Sequence, residues 1–146
     1  QRGGELYIGQ WSAGQRDGCG KCVYPDGEIY EGGWSASAWN GEGILTRKNG
    51  DIYTGPFAAG VRLGSGSVPA DGVMVYANGD RYSGTFAKDK RHGTGSMVFV
   101  NGDMYEGLWE NDSMHGQGEW KSCRGETYKG QYNLGARDGE GTQRFP

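Results

Sequence analysis

Six tyrosines stand at positions 7, 30, 53, 82, 105 and 128, with 23 residues between successive members except for the 29 that separate Tyr53 from Tyr82. A fixed period of this kind has to be read first, because such a chain folds as a stack of like units, each burying its face against its neighbours. Two residues after each tyrosine comes a glycine: Gly9, Gly32, Gly55, Gly84, Gly107 and Gly130. Two further on comes an aromatic: Trp11, Trp34, Phe57, Phe86, Trp109 and Tyr132. A second glycine set, at 18, 41, 64, 93, 116 and 139, is followed by a third at 20, 43, 66, 95, 118 and 141. The units run 7–29, 30–52, 53–81, 82–104, 105–127 and 128–146.

Residues Asn101 to Trp109 show what one unit builds. Asn-Gly is a strong hairpin signal, and a type I′ turn needs positive φ at both central residues. Beyond it, Tyr105, Gly107 and Trp109 alternate with Met104, Glu106 and Leu108, so the first three share one strand face. The turn recurs as Asp26-Gly27, Asn49-Gly50 and Asn78-Gly79, and in altered form as Arg124-Gly125. Each unit therefore reads as two strands. The first holds Tyr-x-Gly-x-aromatic, a loop of six residues follows, and the second opens on Gly-x-Gly. The fold class is all-β: a single-layer antiparallel meander of twelve strands, each beside the one before it. Glycine inside a strand costs about 0.5–1 kcal/mol relative to alanine. The expected compensation is aromatic rings of neighbouring units lying over the glycine gaps, each burying roughly 150–250 Å². The same face continues through Cys22, Leu45, Met97 and Trp120, and then Tyr24, Arg47 and Phe99. The other face mixes Lys21, Glu42 and Gln117 with Val23, Ile44 and Val98, as in a sheet with one side wet.

Composition narrows the function. Glycine takes 30 of the 146 positions, and its regular placement beside 18 aromatics argues against disorder. The net charge of −3 gives no basic excess for nucleic acid. An odd cysteine count suits a reducing, cytoplasmic setting. Cys19 and Cys22 form a C-x-x-C, but on a strand positions i and i+3 face opposite ways, and Cys123 is remote. His92 and His115 occupy equivalent places without a third ligand, so neither metal nor cofactor is expected. No catalytic spacing or phosphate loop is present, and the Gly-x-Gly pairs lie in strands, so no enzyme is expected. The chain opens without Met and ends within a unit, as a piece of a longer protein would.

Nine residues after each tyrosine stand Arg16, Trp39, Arg62, Arg91, Met114 and Arg137, which the six-residue loops place on one rim. Arginine and aromatics are enriched at interfaces, and Trp39 on an exposed loop is the member hardest to ascribe to solvent. Unit three carries an insertion, Ser67-Val-Pro69-Ala-Asp71 with one flanking glycine, expected to bulge outward because Pro69 cannot donate to a ladder. Unit four has a basic cluster, Lys88, Lys90, Arg91 and His92, interrupted by Asp89; anionic membranes favour four to eight basic residues together. The last strand leaves an open edge that can pair with another chain, which suggests homo-oligomers through terminal repeats.

The pattern Tyr-x-Gly-x-Trp, six residues, Gly-x-Gly and Asn/Asp-Gly resembles the MORN repeat family from Tyr7 to Phe145. The resemblance implies an elongated, twisted sheet of hairpins with a groove along it. It also implies a module for protein or lipid contact in cytoskeletal, ciliary, junctional or signalling proteins. The expected function is a non-enzymatic protein-interaction scaffold in a cytoskeletal or ciliary assembly. Its groove and rim would comprise Tyr30, Trp34, Trp39, Tyr53, Phe57, Arg62, Tyr82, Phe86, Arg91, Tyr105, Trp109 and Met114. The alternatives are anionic phospholipid binding through Lys88, Lys90, Arg91 and His92, and an accessory targeting domain of a larger enzyme.

Overall fold

A computed structural model describes residues 3–146. Unit one forms β1 (Leu6–Ser12) and β2 (Gln15–Val23), and unit two forms β3 (Ile29–Ser35) and β4 (Ala38–Thr46). Unit three forms β5 (Ile52–Ala58), a two-residue β6 (Val61–Arg62) and β7 (Ala70–Val75). Then come β8 (Arg81–Ala87) and β9 (Lys90–Val98), β10 (Met104–Glu110) and β11 (Ser113–Lys121), and β12 (Thr127–Asn133) and β13 (Ala136–Arg144). Twelve strands follow one another in a single antiparallel sheet, while β6 pairs with β5 alone. The described residues contain no helix able to cross a membrane.

Two local expectations are corrected. The six-residue loops are not loops. The strands run on into two-residue turns whose members both have positive φ, such as Ala13 (50°) with Gly14 (77°) and Lys88 (52°) with Asp89 (61°). The second glycine of each unit makes this possible. Gly18, for example, takes φ 94° at the point where the β1–β2 register slips between Gly9 and Trp11, so the strand bulges and continues. At the Asn-Gly turns, in contrast, only the glycine is left-handed, as at Gly50 (96°) and Gly102 (93°). These are three-residue hairpin loops. Gly50 N–H donates to the Arg47 carbonyl (3.0 Å) and Arg47 N–H to that of Asp51 (2.8 Å), with glycine at the left-handed place. Asn49 stays in ordinary backbone and uses its side-chain oxygen to accept the Asp51 N–H (2.9 Å).

The insertion bulges only in part: Ser67 to Pro69 lie outside the sheet, but Ala70 and Asp71 already belong to β7 and pair with Phe86 and Thr85. Residues 63–69 leave the sheet, and pairing resumes in β7, where Gly72 faces Gly84. The segment is not free, however. Its Gly66 carbonyl accepts the Lys88 N–H (2.7 Å) and its Gly64 carbonyl accepts the Asp89 N–H (3.0 Å), so it lies on the tip of unit four.

The core is the aromatic face. The other face is open to solvent but carries more apolar side chains than its charges suggest, with Leu6, Ile44 and Ile52 exposed. Leu6, Val23, Ile29, Thr46, Ile52 and Val75 sit opposite one another in register across β1 to β7, an apolar row beside the charged one.

Candidate functional site

The aromatic face is built in layers. At the bottom, each repeat tyrosine lies over the glycines of its own hairpin. An ideal Cβ on Gly43 would stand 2.5–2.7 Å from Tyr30 ring atoms and Oη, so only glycine leaves room. The hydroxyl then reaches the bulge. Tyr30 Oη donates to the Gly33 carbonyl (2.8 Å), Tyr82 Oη to that of Thr85 (2.7 Å) and Tyr105 Oη to that of Leu108 (2.8 Å). Edge-to-face contacts pass from ring to ring without a gap. Tyr30 meets Trp34 (centroids 5.2 Å) and Phe57 (5.0 Å), Tyr82 meets Phe86 (4.9 Å) and Trp109 (5.4 Å), and Tyr105 meets Tyr132 (5.1 Å).

Tyr30, Trp34, Tyr53, Phe57, Tyr82, Phe86, Tyr105 and Trp109 are thus core, each 5% exposed or less. They form the floor under any groove, and the layer above them is what a partner would touch. Burial pushes the Tyr30 and Tyr105 phenols up to about 12, because the phenolate would lose its water.

The upper layer holds the residues expected on a rim, and that expectation is corrected. With the loops drawn into strands, the arginines fold inward over the rings. Arg62 is 5% exposed, its Cζ 4.5 Å from the centroids of both Tyr53 and Phe86, and its Nε and Nη2 donate to one oxygen of Asp89 (2.9 and 2.7 Å). Arg91 lies 4.8 Å over Trp109 and pairs with Asp112 (3.2 Å). Arg16 caps Tyr7 and Trp34, and Arg137 caps Tyr128 and Trp120. Met114 is half-buried on the same face.

Trp39 breaks the row. It is not on an exposed loop but within β4, half-buried, opposite Trp34 in register. Its indole stacks on Tyr30 (4.7 Å, 13°), meets Phe57 edge-on (5.6 Å) and donates its N–H to Tyr24 Oη (2.9 Å). Beside it opens a cavity of about 540 Å³ lined by Tyr24, Pro25, Trp34, Ala38 and Trp39, with Asp26 and Glu28. Burial pushes the Tyr24 phenol up to about 12, although the Trp39 hydrogen bond works the other way.

A family model described as MORN repeat matches residues 7–29, 30–52, 72–81, 82–104, 105–127 and 128–146, well over half of the chain. The chain belongs to the MORN repeat family. No curated protein matches it. Among solved structures it is similar to a Drosophila melanogaster one, the SAS-4 (dCPAP) TCP domain in complex with a proline-rich motif of Ana2 (dSTIL). The identity is 15%, over 97% of this chain and 84% of that one, with a TM-score of 0.37.

The unmatched stretch is where this MORN array departs from its own pattern. In unit three the repeat tyrosine does not reach the Pro56 carbonyl, which accepts the Leu63 N–H (2.9 Å). Tyr53 Oη is left buried without a partner. Of the basic cluster, Lys88 and Lys90 are exposed and His92 is half-buried, while Arg91 is engaged with Asp112 and Asp89 with Arg62. Among the described residues no group of three or more His, Cys, Asp or Glu is placed to hold a metal ion. Cys22 is buried and Cys19 exposed, on opposite faces.

Tyr24, Asp26 and Glu28 did not stand out as site residues in the sequence. The available signals were the missing arginine at position 39 and a glutamate at 28 where Asp51, Asp80 and Asp103 follow the turn glycine.

Proposed function

We propose that this MORN array is a non-enzymatic scaffold that holds a segment of a partner protein along its aromatic face, in a cytoskeletal or ciliary assembly. The observation that carries this reading is the open cavity beside Trp39. Over much of the remaining aromatic face the chain's own arginines lie on the rings, but here large aromatic surface borders a space of about 540 Å³. Half-buried aromatic side chains with polar tips are the usual anchors of binding energy at interfaces.

The phospholipid reading is weaker, since Arg91 is engaged by Asp112 and few exposed cations remain in the cluster. Flotation with anionic liposomes at near-physiological salt is expected to show no co-migration. Partner capture with Trp39→Ala, checked by circular dichroism for retained strand content, is expected to fall at least about tenfold, the factor set by about 1.4 kcal/mol. Undiminished capture by the folded variant would refute the scaffold reading at this face. Trp109→Ala is a poor probe, because that ring is 5% exposed and its loss would damage the core.

A further inference from the structure

Four of the six units seat a cation of their own on aromatic rings. Arg16, Arg62, Arg91 and Arg137 each place a guanidinium carbon within 5.5 Å of two ring centroids. Units two and five have no arginine there; unit five has Met114, which is half-buried, and unit two has Trp39. Trp39 takes the seat above Tyr30 and Phe57. As a result Tyr24 receives a neutral indole N–H, whereas its counterpart Tyr76, at the same place in unit three, lies 5.5 Å from the guanidinium of Arg91.

The acidic side of the cavity is equally unusual. Asp51, Asp80 and Asp103 each use a carboxylate oxygen to accept the N–H of Ala77, Val100 and Cys123 in the next turn (2.9 Å in each case). Glu28 stands in the corresponding place of unit one, and its carboxylate makes no such bond among the described residues. No cation among the described residues pairs with Glu28 or with Asp26. Aromatic walls with carboxylates at the edge are the chemistry that recognises a cationic group.

We propose that the cavity receives a basic side chain, arginine or lysine, of the partner protein, completing in trans the cation-over-aromatic layer that other units complete with their own arginines. The inference rests on the scaffold reading above and names what the scaffold selects. The charged head lies between Tyr24, Trp39 and the carboxylates of Asp26 and Glu28. Neighbouring apolar atoms of the segment pack on Pro25 and Ala38.

The test is a random-peptide display selection against the 146-residue chain, with selected peptides then measured against three proteins. Those are the wild type, Trp39→Arg, and the pair Asp26→Asn with Glu28→Gln. Trp39→Arg restores the residue type of four other units, so it is expected to fold and to fill the site from within. The expected result is that selected peptides share an arginine or lysine. Their binding falls more than tenfold with the neutralised carboxylates and disappears in Trp39→Arg. Replacing the shared basic residue of a peptide by citrulline or norleucine abolishes binding. Peptides that need no basic residue yet lose binding in Trp39→Arg would overturn this inference and leave the scaffold reading standing. Peptides that bind Trp39→Arg as well as wild type, or failure to select any peptide, would overturn both.

Discussion

A methyl group added at Gly43 would fall 2.5 Å from Tyr30 Oη and 2.6 Å from the ring edge. The ring is itself pinned between Trp34, Trp39 and Phe57 and cannot retreat. Gly43→Ala is expected to destabilise the array by about 1–3 kcal/mol, the usual cost of overpacking, measured as a lowered urea midpoint. The hydroxyls make a sharper comparison. Tyr105 Oη donates to the Leu108 carbonyl, so Tyr105→Phe leaves that bond unmade and is expected to cost about 1 kcal/mol. Tyr53 Oη is buried without a hydrogen-bond partner. Tyr53→Phe is therefore expected to be neutral or stabilising in the same denaturation experiment. Equal losses for both would show that the hydroxyl bonds do not govern the difference.

Successive hairpins are fastened at both ends of their strands. On one edge the carboxylates of Asp51, Asp80 and Asp103 reach the next turn. On the other edge a turn N–H donates back to the preceding unit, as Ser37 does to Arg16 (3.0 Å), Gly60 to Trp39 (3.0 Å) and Asp112 to Arg91 (3.0 Å). These bonds fix where one unit sits on the next, and so where the rings meet. Asp80→Ala removes the acceptor of the Val100 N–H and a partner of Asn78. It is expected to cost about 1–2 kcal/mol and to raise hydrogen exchange at the Val100 amide, with Asp80→Asn milder because an acceptor remains. Unchanged exchange at Val100 would count against the staple.

Across the whole molecule, stability accumulates from neighbour to neighbour, since each ring is covered by the next unit. That shared core couples folding to tyrosine ionisation. Tyr30 and Tyr105 keep their protons up to about pH 12 in the folded chain, against an ordinary value of 10.0. The folded state therefore binds more protons than the unfolded state in that interval, and unfolding becomes easier as pH rises. The contribution is complete below pH 10 and lost as pH climbs through about 12. Phenolate absorbance and strand dichroism, followed together, are expected to change in one step above pH 10. Tyrosine ionisation completed near pH 10 with dichroism intact would contradict the buried layer.

Sequence alone determined the repeat, the all-β meander and the face on which tyrosines and glycines meet. Those follow from spacing, because a strand alternates faces whatever its surroundings, and only glycine lets a ring lie against the backbone. Only the tertiary structure decided how long the strands were and where the arginines and Trp39 went. A positive-φ bulge at Gly18 and its equivalents turns an apparent six-residue loop into strand, and this swings position 39 from a rim to the aromatic layer. Side chains from two successive units then enclose one cavity, with the backbone of Gly60 from a third at its edge. No spacing along the chain encodes that meeting, since it depends on how far each hairpin is offset from the next.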